Sequence, residues 1–197
     1  MIRTGHVART TAETDIDLHL CLEGSGKTSV ATGFGLLDHM LTLTAFWAGF
    51  DLSLTCKGDT HIDAHHSAED IALCLGQAFA LAVGDRKGIA RVGFARVPMD
   101  EALVLVAVDS FGPDNLLLRS DAAGAEVLGI FDTELAEEFF LGFCRGGEFT
   151  LHVRQLAGKN THHILEAAFK GFGRAMAIAV AMDSRHPDAL PSTKGVL

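Results

Sequence analysis

Proline and cysteine are scarce in this chain of 197 residues, at four each, and lysine with arginine (16) is outnumbered by aspartate with glutamate (25). So little proline, with no low-complexity stretch or linker, argues against an extended or disordered protein. Cys21, Cys56, Cys74 and Cys144 are widely spaced and form no C-x-x-C pair, which removes a disulfide frame and a thiolate zinc site and leaves them as core residues. A formal charge of −9 opposes nucleic acid or an anionic membrane as a partner, so any anionic ligand needs a local basic cluster. No stretch reaches the roughly 18 apolar residues of a membrane span, and "MIRTGHVART" lacks the apolar run of a signal peptide. The expectation is a cytoplasmic protein.

What is present is a globular composition, 48% hydrophobic with 21 glycines. "HVARTTAET" and "IDLHLCLE" alternate like the strands of an opening hairpin, and "GSGKTSVATG" supplies turn residues. "GLLDHMLTLTAFWAG" has helical spacing, "DLSLTCKGD" alternates again, and "SAEDIALCLGQAFALAVGD" is a long apolar-striped helix. From near Gly88 the order recurs. "IARVGFARVPM" and "ALVLVAVDSFG" are strands, short extended stretches run through "LLLRSDA", and "TELAEEFFLGFCRGG" is a helix with Thr133 as its expected N-cap. "EFTLHVRQLAG" is a strand and "HHILEAAFKGFGRAMAIAVAMD" the last helix. The chain therefore reads as one domain built from two internal repeats, about 1–87 and 88–190, with a tail at 191–197.

Each repeat carries the same chemistry. "HIDAHHSAED" sets His65 and His66 before Glu69, and "NTHHILEA" sets His162 and His163 before Glu166. Successive helix residues diverge by about 100°, so adjacent histidines serve different metals, whereas His65 and Glu69 share a face one turn apart. Imidazole with carboxylate suits manganese, iron, cobalt or zinc better than magnesium or copper. Counting back from each motif reaches His39 in the first half and Glu138 at the corresponding place in the second, which completes eight potential ligands. One H-H-x-x-E is a surface coincidence more often than a ligand set; two in register with a structural repeat are not. His6, His19, His61, His152 and His186 have no such partner and read as structural or solvent-facing. "GSGKTS" suggests a phosphate loop, but the first glycine of that motif falls at Cys21 and no helix follows, so it reads as a hairpin turn.

"HIDAHHSAEDIALCLG", "GKNTHHILEAAFKGFGRA", "LLDHM", "MDEAL" and "PSTKGVL" together closely resemble the imidazoleglycerol-phosphate dehydratase family of histidine biosynthesis, over essentially the whole chain. The resemblance implies an α/β (α+β) fold of two similar halves, each a four-stranded sheet backed by helices. It implies two Mn2+ ions per active site and a homo-oligomeric shell of twenty-four subunits, with sites shared between subunits and a small phosphorylated imidazole as substrate. It assigns as metal ligands His39, His65, His66, Glu69, Glu138, His162, His163 and Glu166, some relatives having histidine where Glu138 stands. It assigns Glu13 to acid/base catalysis and Arg91, Lys170, Ser192 and Lys194 to the phosphate. The reaction needs a metal because the proton removed lies on a carbon with no carbonyl beside it, and metal binding favours the imidazolate form of the substrate ring, which helps expel hydroxide.

Three departures from the family pattern bear on the substrate grip: Pro113, in "FGPD", stands in place of a phosphate-contacting arginine, Leu43 in place of glutamine, and Trp47 with Ala48 in place of histidine and glycine. They leave a paralogous dimetal lyase or isomerase as the second reading. A non-catalytic metal-binding shell protein is the third, disfavoured by the intact Glu13, Arg91, Lys170 and Lys194.

Overall fold

The alternating opening segments pair as an antiparallel hairpin, β1 (Thr4–Thr10) and β2 (Thr14–Cys21), with Thr4 opposite Cys21 and Thr10 opposite Asp15. Ile16, Leu18 and Leu20 of β2 are buried while Asp15, Asp17 and His19 are exposed, so one sheet face enters the core and the other meets solvent. The computed structural model describes residues 2–112, 115–119, 127–128, 131–132 and 134–194. β3 (Thr28–Ala31), α1 (Gly35–Ala48), β4 (Asp51–Gly58) and α2 (His65–Val83) complete the first half. β4 inserts between β2 and β3, antiparallel to the first and parallel to the second, giving the order β1-β2-β4-β3.

"GSGKTS" is therefore no hairpin turn. It carries the chain from β2 to β3 across the slot that β4 fills, and β3 itself, a short edge strand of Thr, Ser, Val and Ala, lacks the apolar alternation that marks a strand in sequence. The loop is not a phosphate cradle either. The N–H groups of Ser25 and Lys27 donate to the Asp51 carboxylate at 2.7 and 2.9 Å, so the chain's own anion occupies the amides such a loop would offer.

The second half repeats the first. β5 (Val92–Met99), β6 (Ala102–Asp109) and β7 (Asn115–Arg119) are followed by a small antiparallel pair, β8 (Val127–Leu128) and β9 (Phe131–Asp132), with no counterpart before. α3 (Leu135–Gly147), β10 (Thr150–Ala157) and α4 (Thr161–Ala179) follow, and the sheet order β5-β6-β10-β7 has the same senses as in the first half. The expected two-fold α/β architecture is thus the observed one. Thr133 lies outside the described residues, and Glu134 stands at the N-cap position of α3.

The helices are exchanged between the halves: α2 backs β1 and β2 yet packs on α3, while α4 backs β5 and β6 yet packs on α1. Glycine makes both contacts close. A Cβ on Gly76 of α2 would stand 2.3 Å from the Phe143 carbonyl oxygen, and one on Gly173 of α4 would stand 2.3 Å from that of Thr44. Between the layers lies one aromatic core drawn from both halves, where Phe79 meets Phe143 edge-on at 5.5 Å, Phe143 stacks on Phe149 at 5.0 Å, and Phe140 meets Phe169 at 4.9 Å. The sheets approach as closely: a Cβ on Gly5 would lie 2.0 Å from the Ala78 carbonyl oxygen and one on Gly93 would lie 1.9 Å from that of Ala175. Strand and helix are in this way set at a fixed distance in each half, and with them the helix starts that carry the histidines.

Adding that missing methyl is the test. Gly5→Ala and Gly93→Ala are each expected to lower unfolding stability by about 1–3 kcal/mol through overpacking against backbone. Gly35→Ala, with nothing within 4 Å of its added carbon, serves as the neutral control. Equal denaturation midpoints for Gly93→Ala and Gly35→Ala would show that the contact yields freely.

Candidate active site

Each His-His pair lies in the first turn of its helix, and the first turns are fixed by equivalent side chains. Asp63 Oδ1 accepts the His65 N–H at 2.8 Å, and Asn160 Oδ1 accepts the His163 N–H at 3.2 Å. At the start of α4 three expected ligands converge. Glu166 Oε1 lies 2.9 Å from His39 Nε2 and 3.2 Å from His162 Nε2, all three atoms fall within 4.8 Å of one another, and the two rings are nearly parallel. His39 comes from α1 of the first half and the other two from α4 of the second, so the helix exchange builds the cluster. Burial would raise the Glu166 carboxyl, but hydrogen bonds from His39 and Lys170 outweigh it and hold the group down to about 2.

The equivalent cluster of the first half is more open. His65 Nε2 and Glu69 Oε2 stand 3.9 Å apart, Arg145 reaches Glu69 at 3.4 Å, and Glu138 is half-buried in the first turn of α3. Among the described residues these three do not close into a triad as tight as that around Glu166.

The second histidine of each pair turns away. His66 Nδ1 donates to Asp59 at 2.9 Å and His163 Nδ1 donates to Glu101 at 2.7 Å, with the Asp100 carboxylate 3.5 Å from His163 Nε2. These carboxylates raise both imidazoles above their ordinary value. Glu101, held by the N–H groups of Asn160 and Lys159 and by His163, is down at about 2. An imidazole whose Nδ1–H is fixed by a carboxylate presents Nε2 to a metal in a defined tautomer. The donor set therefore fits a divalent cation: two imidazole nitrogens and a carboxylate converge in one place, and two further histidines are oriented as ligands are. Neither Asp59 nor Glu101 is singled out by the sequence reading: Asp59 lies 7 residues before His66 but belongs to no motif, and Glu101 sits on a sheet turn 62 residues from His163. The repeat held the signal for Glu101, which lies 88 positions after Glu13, as Gly93 does after Gly5.

Glu13 is exposed in the turn between β1 and β2, its carboxylate 3.9 Å from His66 Nδ1. Asp70 ties that hairpin to α2, accepting from Thr14 Oγ1 at 2.5 Å and pairing with Arg9. Of the expected phosphate residues, Lys170 sits at the Glu166 cluster, bonded to the second carboxylate oxygen and 3.4 Å from Met99 Sδ. Arg91 is elsewhere. It grips Asp109 through two bonds of 2.8 and 3.0 Å, donates to the Pro191 carbonyl at 2.9 Å, and lines with Ser192 a pocket of about 430 Å³ beside Asp183 and His186. Lys194 is exposed in the adjoining tail, where its N–H donates to Ser192 Oγ at 3.2 Å. The chain thus brings Arg91 and Ser192 together, and separately joins Lys170 to the metal-type cluster.

Pro113 lies outside the described residues. Leu43 packs half-buried against the core, and Trp47 lies under the Arg174 guanidinium at 4.6 Å with its edge to Phe46. Where the resemblance gives histidine, a cation–π stack stands instead.

The comparisons with known proteins agree along the chain. The family described as Imidazoleglycerol-phosphate dehydratase matches residues 32–176. An imidazoleglycerol-phosphate dehydratase of Oleidesulfovibrio alaskensis is 56% identical over 195 residues, covering 99% of this chain and 98% of that protein. One from a Synechococcus species is 48% identical over 197 residues, covering 100% and 97%. Among solved structures, the crystal structure of IGPD from Pyrococcus furiosus in complex with (S)-C348 superposes with a TM-score of 0.84 at 39% identity, covering 97% of this chain and 100% of that one. The enzyme from Staphylococcus aureus gives 0.81 at 36% identity, covering 91% and 99%. With a family match across most of its length and relatives this similar from end to end, the chain belongs to the imidazoleglycerol-phosphate dehydratase family.

Proposed function

We propose that the chain is a hydro-lyase of histidine biosynthesis that converts imidazoleglycerol phosphate to imidazole-acetol phosphate and water. In this reading it uses two Mn2+ ions per active site and acts in the cytoplasm as a homo-oligomeric shell of twenty-four subunits. The observation that carries the metal reading is the convergence of His39, His162 and Glu166 from opposite halves. His65, Glu69 and Glu138 would hold the second ion.

Sharing between subunits rests on two separations within the chain. His66 and His163 diverge from the clusters of their own helices, so their metals belong to neighbouring copies. Arg91 lies at the other end of α4 from Glu166, its N–H on the Ala179 carbonyl at 2.8 Å. The helix between Glu166 and Ala179 is about 20 Å long at 1.5 Å per residue, which a phosphorylated three-carbon chain on an imidazole does not span. Arg91, Ser192 and Lys194 would hold the phosphate of a substrate whose ring lies on another chain's ligands. Leu81 and Ile178, at equivalent positions of α2 and α4, are 59% and 45% exposed, apolar surface that an assembly would cover.

When bound, the metals supply a Lewis acid for the substrate imidazole. The chain's own residues do the rest. Glu13 takes the proton from the substrate carbon and returns one to the enol carbon, and the turn fixed by Thr11 and Thr14 holds it beside His66. His39, His162 and Glu166 would hold a cation, and Lys170, now bonded to Glu166, would then be available to the anionic substrate.

The preparation is expected to hold about two manganese ions per chain and to lose its large assembly when they are chelated, read by metal analysis and sizing. Affinity falls as pH drops through the imidazole range near about 6.5, since ligand histidines must be neutral and the carboxylates at His66 and His163 keep protons on them to higher pH. A monomer indifferent to chelator would remove the shared site.

With the manganese-loaded protein and imidazoleglycerol phosphate, His66→Ala or His163→Ala is expected to abolish turnover together with metal content. Glu13→Gln keeps its metal and loses activity. Full activity in Glu13→Gln would refute its assignment.

Pro113 has neither charge nor backbone donor, so it does not replace an arginine on phosphate. A hydrogen bond to a charged group contributes roughly 1.5–3 kcal/mol, about 10-fold to 150-fold in affinity. Pro113→Arg is therefore expected to lower a raised Michaelis constant. If both forms bind metal and neither turns the substrate over, the paralogue reading replaces this one.

A further inference from the structure

The histidines that look isolated in the sequence are not all isolated in space. In the β1–β2 register His6 stands directly opposite His19, and Ala8 opposite Asp17, so Asp17 is both the same-face neighbour of His19 and the diagonal neighbour of His6. All three are on the solvent face of the sheet, away from the helices. The imidazoles stack at 3.8 Å with their planes 8° apart. Asp17 closes the arrangement, its Oδ1 2.7 Å from His6 Nε2 and its Oδ2 3.6 Å from His19 Nε2, and the three ligand atoms fall within 4.8 Å of one another. Each side chain is slightly more than half exposed.

We propose that His6, Asp17 and His19 form a peripheral metal site for one borderline divalent transition metal of the zinc, nickel and copper class. Two Nε2 donors and one carboxylate crowd a single patch. Parallel rings aim their lone pairs side by side, so the two exposed imidazoles must splay from the stack about their own torsions to meet one ion as ligands of a tetrahedral or five-coordinate centre do, leaving the remaining positions to solvent. Those positions face an open groove of about 490 Å³, lined among others by His6, His19, Cys21, Lys27 and Ser29, with room for water or a small exogenous ligand. Two adjacent strands supply all three donors, so the hairpin fixes the backbone that carries them and no second chain is needed. Stacked imidazoles repel each other when both are protonated, whereas a metal holds them neutral beside the carboxylate. Manganese, the weakest binder of its series at nitrogen-rich sites, does not compete strongly here. The inference does not depend on the dehydratase reading, because it concerns a different face and different residues.

The test compares the full-length manganese-loaded protein with His19→Ala and Asp17→Asn, both exposed substitutions outside the catalytic machinery. Each is equilibrated with zinc chloride and freed of unbound metal, and its zinc and manganese are counted by mass spectrometry. The wild type is expected to retain one more zinc per chain than either variant, and loss of a ligand should weaken that zinc by at least about tenfold. Manganese content and turnover should be the same in all three. Because the readout is a difference between wild type and variant, zinc that displaces manganese elsewhere cancels. Equal zinc retention in the three proteins would overturn the site and leave the stacked histidines as an ordinary ion pair with Asp17.

Discussion

The site depends on one carboxylate taken almost out of water. Glu166 is 7% exposed and sits between an imidazole from the other half, an imidazole from its own helix and the Lys170 ammonium. A buried charge is tolerable only when its lone pairs are met, so these partners are obligatory rather than decorative. Since His39 belongs to α1 and Glu166 to α4, the requirement is also a constraint on how the halves sit. The close glycine contact of Gly173 with Thr44 brings those two helices near enough for the carboxylate to be satisfied.

The doubling explains both what converges and what does not. One cluster closes tightly within the chain, its counterpart around Glu69 stays open, and the second histidine of each pair is anchored on a carboxylate of its own sheet. Capping by Asp63 and Asn160 acts at equivalent places, whereas the anchors come from different ones: Asp59 follows β4, and Glu101 sits in the β5–β6 turn, the place Glu13 holds in the first half. Each half solves the same orientation problem with whatever polar side chain its loop offers.

The fold and the residues that meet around Glu166 are legible in the sequence, because a repeat doubles every signal. The period of His-His-x-x-Glu aligns the helices, and counting back from it reaches His39, which joins that cluster, and Glu138, which closes no such cluster among the described residues. What was not legible is what register and loops bring together. Asp59 and Glu101 have no motif, β3 is too short and polar to alternate, and His6 with His19 looked solitary because strand pairing, not spacing, makes them neighbours. The separation of Arg91 from Lys170 is equally hidden, since a resemblance assigns both to phosphate without saying that Lys170 lies mid-helix beside Glu166 while Arg91 meets the C-terminal end of α4.

The exchange of helices has a further meaning. The contact of α2 with α3 and that of α4 with α1 are the same contact seen from opposite sides, down to Gly76 on the Phe143 carbonyl and Gly173 on that of Thr44. Such a self-complementary surface is what an isologous two-fold dimer presents. A single half already carries both the face that docks and the face that receives it, and the chain has the form of a homodimer whose two protomers were joined end to end and then left free to diverge.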